Sequence, residues 1–240
     1  LLAARAALFC GAGRVFALFL DEGPALDAGQ PELMCRSAAG FDYGCAVTVA
    51  GPGLGTSPEA VQVLLRALDS AHGLVLDADA LNLLATSSDL QQRLGARGNT
   101  ILTPHPLEAA RMLGMTSAIV QADRMAAAHE LAKRFNATVI LKGAGSVIAH
   151  GEAIVINGTG NPGLATAGSG DVLAGLCGSL LAQGWPAWEA ALGATWIHGR
   201  AADELVARGE GPIGLTAGEL PRAARAMLNT LSGRSGQRQS

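Results

Sequence analysis

Apolar residues along this chain fall into short unbroken runs of strand length, separated by stretches of helical period, and this rhythm predicts most of its elements. Residues 1–10 are helical in pattern and stopped by Gly11 and Gly13, and 15–20 form a run of strand length. The β-branched segment 46–50 is a predicted strand broken by the GPGLG of 51–55. Ser57, Pro58 and Glu59 then supply the N-cap and first turn of a helix to about residue 68. Further strands are predicted at 73–76, 100–102 and 138–141, with a hairpin of 147–149 and 153–156. Helices are predicted up to Leu113, over 117–135, from Asp171, over 187–206 and over 216–231, the last opened by Thr216 and Glu219 in capping-box spacing.

The strand runs show no period-two alternation and alternate with helices almost throughout, the pattern of a parallel sheet covered on both faces. No internal repeat or linker divides the 240 residues, so one domain is expected over 1–231, followed by a frayed polar tail at 232–240.

Composition narrows the class. With 49% hydrophobic and 15% charged residues the chain is not a disordered one, and 32 glycines without a G-X-Y period point to glycine-rich functional loops rather than collagen. A net charge of −3, with basic residues scattered except in the tail, argues against a nucleic-acid partner. The charge-free run 172–188 contains Gln183, Gly184 and Pro186 and is too short to span a membrane, so no membrane partner is expected. Arg5 interrupts the opening apolar stretch too early for a signal peptide, and the chain, opening on Leu1, reads as a piece of something longer. Cys10, Cys35, Cys45 and Cys177 show neither a C-x-x-C pair nor zinc spacing and read as buried free thiols of a cytoplasmic protein. His72, His129, His150 and His198 read as structural, and Trp185, Trp188 and Trp196 as core or subunit contacts.

Ligands of open α/β sheets bind beyond the carboxyl ends of the strands, and the loops 51–55, 77–82, 103–108 and 142–171 are predicted to share that rim. The strongest of them runs from Asn157 to Asp171. Gly168 and Gly170 let the backbone approach a ligand, and a helix starting near Asp171 directs free N–H groups and its positive dipole end at an anion, most naturally a phosphate. At the foot of a wholly apolar helix, Asp171 is placed to act as a base toward a substrate hydroxyl, the alternative being a simple cap. No Walker A sequence occurs, and Gly158, Gly160 and Gly163 fit G-x-G-x-x-G only by chance. Other residues also have ordinary alternatives: His105 as a loop histidine, Glu108 as a helix-start residue, Lys142 as a solvated lysine, and Asp77 and Asp79 as turn and cap residues.

The stretch GNPGLATAGSGDVLAG at 160–175 resembles the hallmark of the ADP/ATP-dependent NAD(P)H-hydrate dehydratases, within the ribokinase-like superfamily. PELM at 31–34, GPGLG at 51–55, DADALN at 77–82, TPHPLE at 103–108 and KGAGS at 142–146 follow in the family's order, and the likeness spans residue 1 to about 230. The resemblance implies a three-layer α/β/α sandwich with a mostly parallel central sheet. It also implies dehydration of the S epimer of NAD(P)H-hydrate to NAD(P)H, in which ADP or ATP phosphorylates the ring hydroxyl and phosphate leaves, with Mg²⁺ as cofactor. By the same resemblance Asp171 takes the hydroxyl proton, and the amides of Ser169, Gly170 and Asp171 form an anion hole. Lys142, Gly143, Ala144, Gly145, Ser146 and Gly170 belong to the adenine-nucleotide site, and Asn161 orients phosphates. Gly53, Gly55, His105 and Asp171 hold the hydrate, and Glu108 matches a glutamate that acts through magnesium and water in related kinases.

Members of this family normally begin with a strand and glycine-rich turn that are missing here, so the sheet is expected to lack its N-terminal strand. A fused N-terminal epimerase domain and a homo-oligomer, dimer or tetramer, are also expected. A hydroxyethylthiazole-type kinase and a catalytically impaired nucleotide-binding fragment are the competing readings, and TPHPLE together with GNPG favours the dehydratase.

Overall fold

The computed structural model describes residues 1–69 and 72–236. Helix α1 (Leu2–Phe9) leads into β1 (Phe16–Phe19), which pairs in parallel with β2 (Met34–Ser37). Strands β3 (Thr48–Ala50), β4 (Leu74–Leu76), β5 (Thr100–Leu102) and β6 (Thr138–Leu141) lie side by side in chain order, all parallel. β7 (Val147–His150) and β8 (Ala153–Ile156) extend this sheet as an antiparallel hairpin. The connecting helices are α2 (Pro58–Asp69), α3 (Ala78–Thr86), α4 (Ser88–Gly95), α5 (Pro106–Leu113), α6 (Ser117–Ala122) and α7 (Arg124–Phe135). After the hairpin come α8 (Ser169–Ala182), α9 (Ala187–Ala207) and α10 (Leu220–Gly236).

The sheet explains the unbroken apolar runs. Leu74, Leu76, Leu102, Val139 and Leu141 point into one core, filled from outside by Leu64, Leu81, Leu94, Met112 and Phe135. Their neighbours Val75, Ile101, Ile140 and Ile148 point into a second core on the opposite face, filled by Ala6, Leu176, Ala194 and Ala224. Successive strand residues face opposite ways, so a sheet buried on both sides needs every position apolar. The result is a three-layer sandwich, with α8 buried from Val172 to Leu181 beneath the sheet.

Several boundaries differ from expectation, each for a local reason. Strand β2 was not anticipated; its MCRS sequence exposes Arg36 and Ser37 and carries little apolar pattern. Nor was α4, which hides in a polar sequence; the Ser87 hydroxyl caps it by accepting from Leu90 N at 3.3 Å, while Leu90 and Leu94 are its buried anchors. The segment 117–135 divides at Asp123, whose carboxylate accepts from Ala126 N at 2.9 Å and starts a new helix. Thr216 and Glu219 close a separate turn ahead of α10, with Thr216 N donating to the Glu219 carboxylate at 2.7 Å. Helix α10 itself continues into the expected tail as far as Gly236, helped by the Ser232 hydroxyl donating to Leu228 O, and 237–240 lie outside the described residues. Cys45 is exposed rather than buried because it lies in the loop leading to β3. Burial pushes the Cys10 thiol up to about 12 and that of Cys177 higher still. Among the described residues β1 and β2 form a sheet of their own, not hydrogen-bonded to β3, and no helix is long and apolar enough to cross a membrane.

Candidate active site

Because β3 to β6 are parallel neighbours, the loops 51–55, 77–82, 103–108 and 142–146 all emerge at one edge. β8 runs antiparallel to β7, hence in the direction of β6, and delivers 157–171 to the same edge. Backbone hydrogen bonds continue the sheet into these loops: Asp77 N to Ala50 O at 3.1 Å, Thr103 N to Leu76 O at 3.0 Å and Lys142 N to Pro104 O at 2.8 Å. Gly51 makes the close stacking possible, since at its φ of +126° a Cβ would stand 1.7 Å from the Asp77 carbonyl oxygen. The carboxylate of Asp79, in the first turn of α3, accepts from Gly55 N at 2.8 Å and ties the two loops together. Gly53 and Gly55, with φ of +68° and +71°, leave open space where a side chain would project.

At the centre, Lys142 Nζ lies 2.6 Å from Asp77 Oδ1, with the lysine mostly buried and the aspartate almost wholly so. Asp77 occupies the N-cap position of α3 yet makes no side-chain capping bond, so the turn-and-cap expectation does not account for its carboxylate. The ion pair sits against the start of α8: a Cβ on Gly170 would be 3.2 Å from Lys142 Nζ and 3.7 Å from Asp77 Oδ2. The N–H groups of Gly170 and Asp171 have no acceptor within their helix because they open it. Ser169 differs from its expected role in that its N–H donates to Thr166 O at 3.3 Å and its hydroxyl to Leu164 O at 2.8 Å. Asp171 is about half buried. Desolvation first, and the negative charge of Asp77 second, raise its carboxyl above the ordinary carboxylate range, against the opposing pull of Lys142 and of its own backbone amide.

TPHPLE is built as a capping box. His105 Nδ1 accepts from Leu107 N at 3.1 Å and Glu108 N at 3.3 Å, the Glu108 carboxylate accepts from His105 N at 2.8 Å, and Pro106 takes the first helical position of α5. His105 stays half exposed at the rim, whereas Glu108 is buried with its second oxygen 3.3 Å from His105 Nε2. The Glu108 carboxylate is thus engaged by His105. Among the described residues no group of three or more His, Cys, Asp or Glu side chains is placed to hold a metal ion.

The 142–146 loop is held from below by Arg124, the first residue of α7. Its guanidinium donates to Ala144 O at 2.7 Å and Leu141 O at 3.0 Å. Gly143, at φ +150°, lies so close that a Cβ would come within 2.8 Å of Arg124 Nη2. Ser146 Oγ closes the loop onto Gly143 O at 3.1 Å, and a hollow of about 300 Å³ beside it is lined by Arg124, Met125, Ala144, Gly145, Val147 and Ile156. Asn161 caps a short 3-10 turn (Pro162–Leu164), accepting from Gly163 N at 3.0 Å and donating to Asp203 Oδ1 at 3.1 Å, so its amide is engaged within the protein. Asp203 Oδ2 also accepts from Gly160 N at 3.0 Å. Sequence reasoning missed Arg124 and Asp203, which look like surface charges on helices. The one available signal was an arginine in the first turn of a helix, where the dipole disfavours it. A larger cavity, about 670 Å³, lies between β8, α9 and α10, and among the described residues no ionisable side chain lines it.

A mostly parallel α/β/α sandwich whose carboxyl rim gathers an open helix start, a half-buried aspartate and a buried lysine is the architecture of the ribokinase-like superfamily. Within it, the chain belongs to the NAD(P)H-hydrate dehydratase family, whose profile matches residues 1–223. It is 48% identical over 240 residues to the ADP-dependent (S)-NAD(P)H-hydrate dehydratase of Neisseria meningitidis, covering 96% of this chain and 80% of that protein. It is 39% identical to the bifunctional NAD(P)H-hydrate repair enzyme Nnr of Coxiella burnetii, covering 95% of this chain and 47% of that one. The solved ADP/ATP-dependent NAD(P)H-hydrate dehydratase of Bacillus subtilis, co-crystallised with ATP/Mg²⁺, superposes with a TM-score of 0.77 at 26% identity, covering 97% and 83% of the two chains. A hydroxyethylthiazole kinase from Pyrococcus horikoshii shares the fold at a TM-score of 0.63 and 16% identity.

Proposed function

We propose that this chain restores NAD(P)H from the S epimer of NAD(P)H-hydrate, with ADP or ATP as phosphoryl donor. The observation that carries the reading is Asp171 in the first turn of α8, where a carboxyl with raised proton affinity stands beside two amides lacking helix acceptors. The amides of Gly170 and Asp171, with the Lys142 ammonium, receive the terminal phosphate of the donor. Asp171 faces the ring hydroxyl and takes its proton as the oxygen attacks phosphorus, and the bond from phosphorus to the nucleotide breaks. The ring nitrogen's lone pair then expels phosphate, and the neighbouring carbon gives up a proton to form the double bond of NAD(P)H. With ADP the other products are AMP and phosphate.

The loop Lys142 to Ser146 and its adjoining hollow suit the adenine nucleotide, and Gly53, Gly55 and the half-exposed His105 suit the hydrate. ADP is the donor named for the Neisseria relative, which supports it here. A magnesium ion would be carried by the nucleotide's phosphates, with Glu108 acting on it through water. The longer relatives are named bifunctional, which supports an epimerase partner, fused or separate, that supplies the S epimer. The free thiols of Cys10, Cys35, Cys45 and Cys177 suit the cytoplasm. The test is to incubate chemically hydrated NADH with ADP or ATP and Mg²⁺. Return of the reduced-nicotinamide absorbance, with one phosphate released per NADH, is expected; no return with either nucleotide overturns the reading.

A further inference from the structure

We propose that Asp77 is a positioning residue, its buried carboxylate holding the Lys142 ammonium against the start of α8 so that the ammonium, not water, meets the transferred phosphate. This rests on the reading above, because it names what aims one of the phosphate's donors. A lysine at the end of a strand is ordinarily solvated, a strongly hydrated charge on a flexible stem. Here the ammonium is brought under the rim to 2.6 Å from a carboxylate that is 1% exposed. Such a pair is no gift to stability, since desolvating both charges offsets most of their attraction. Asp77 also gives up something to make it: at the N-cap of α3 its carboxylate could accept from the helix amides, and it turns away instead.

The geometry says what the pair serves. Asp77 comes from the end of β4, Lys142 from the end of β6 and Gly170 from the start of α8, and the three meet within the distance that one added methyl group at Gly170 would span. An ammonium has three protons; one goes to Asp77, leaving others for a phosphate oxygen beside the opening amides of α8 at Gly170 and Asp171, which have no helix acceptor. The carboxylate has a second effect. The charged side chains facing Asp171 are Asp77 and Lys142, while His198, close under Ser169, stays neutral. With Asp77 in place the lysine's charge is neutralised and Asp171 keeps its raised proton affinity; without it the free ammonium would pair with Asp171 and weaken the base.

The test compares kcat and KM for wild type, Asp77→Asn, Lys142→Met and the double variant on the full chain, with circular dichroism and Tm to verify folding. Asp77→Asn and Lys142→Met are each expected to lower kcat by on the order of 10²-fold with the KM for the hydrate nearly unchanged. The double variant should be no slower than Lys142→Met, and the acid limb of the Asp77→Asn rate profile should move to lower pH. A kcat for Asp77→Asn within about threefold of wild type, or losses that multiply in the double variant, would overturn the proposal. Should Asp77→Asn not fold, Asp77→Glu decides: its longer arm displaces the ammonium, so a fall of roughly tenfold in kcat at nearly unchanged Tm supports the role and a wild-type kcat refutes it. A wild type that restores no NADH overturns the functional reading alone. Titration with ADP by calorimetry then judges Asp77 separately: weakening by about tenfold or more in Asp77→Asn relative to wild type supports it, and unchanged binding in Asp77→Asn, or a wild type that binds no ADP, refutes it.

Discussion

Asp171 couples reactivity to instability in one side chain. Half-burial and the charge of Asp77 make its proton bind more tightly in the folded protein than in the unfolded chain. Its contribution to stability is therefore fully present below the unfolded carboxyl value of 3.8 and is lost as the pH rises through the higher folded value. At neutral pH the charged group is a burden, one that the proposed role of Asp171 as a base requires. Asp171→Asn is accordingly expected to abolish turnover, to keep ADP binding and to melt at pH 7 no lower than wild type; an active variant, or one with a clearly lower Tm, contradicts the assignment. Asp171 was legible in the sequence because glycines precede it and an unbroken apolar run follows, features of one contiguous segment. The role of Asp77 was not legible, because its partner Lys142 is 65 residues away and only strand order brings the two together. His105 and Glu108 lie between these cases: their spacing was visible, but that the histidine itself is the cap depends on which nitrogen faces the helix.

Among the elements, the start of α7 and the loop after β6 work as a unit. Arg124 spans two loop carbonyls, and Gly143 is the residue that lets it come so close. Arg124→Ala should raise the KM for nucleotide about tenfold while leaving kcat within a few-fold, and Gly143→Ala should do the same by pushing the guanidinium away. The double variant should be no worse than either, and multiplied effects in a double-mutant cycle would show that the two act apart. Helix α9 carries a different sensitivity. Burial lowers the His198 imidazole from 6.5 to about 4, with the Ser169 backbone pulling the other way and Lys142 assisting the fall. A depressed folded value means stability is present above pH 6.5 and lost as the pH falls toward 4, so Tm should drop over that interval and His198→Gln should flatten it. Equal pH dependence in the two proteins would place the acid sensitivity elsewhere. The strands were readable at this scale because burial on both faces demands unbroken apolar runs. β2 and α4 were not, since each hides only part of one face, and α4 rests on a serine cap and two leucines within a polar stretch.

Across the whole molecule, the high apolar content is not spent entirely in the two cores. All four residues of β8 are exposed, and Val155 and Ile156, with Trp185, Trp196 and Leu231, line the cavity between β8, α9 and α10. Their exposed fractions run from 38% to 57%. β8 is also the outermost strand of its sheet, with one edge of backbone groups unpaired. We propose a second copy of this chain as the occupant. An edge strand can pair antiparallel with itself across a two-fold axis, and the lining among the described residues is mostly apolar. The tryptophans, read from sequence as core or subunit contacts, differ in exposure: Trp185 and Trp196 are exposed, whereas Trp188 is partly buried against the core. Sedimentation should find a dimer or larger assembly at micromolar concentration, and Ile156→Asp with Trp196→Asp should return it to monomers. Because Asn157 and Gly158 line the same cavity and open the loop that leads to Asp171, the monomeric variant should also lose activity, by about tenfold, through a loosened loop. A wild-type chain that sediments as a monomer at these concentrations would leave the apolar patch without the partner assigned to it and refute the assembly.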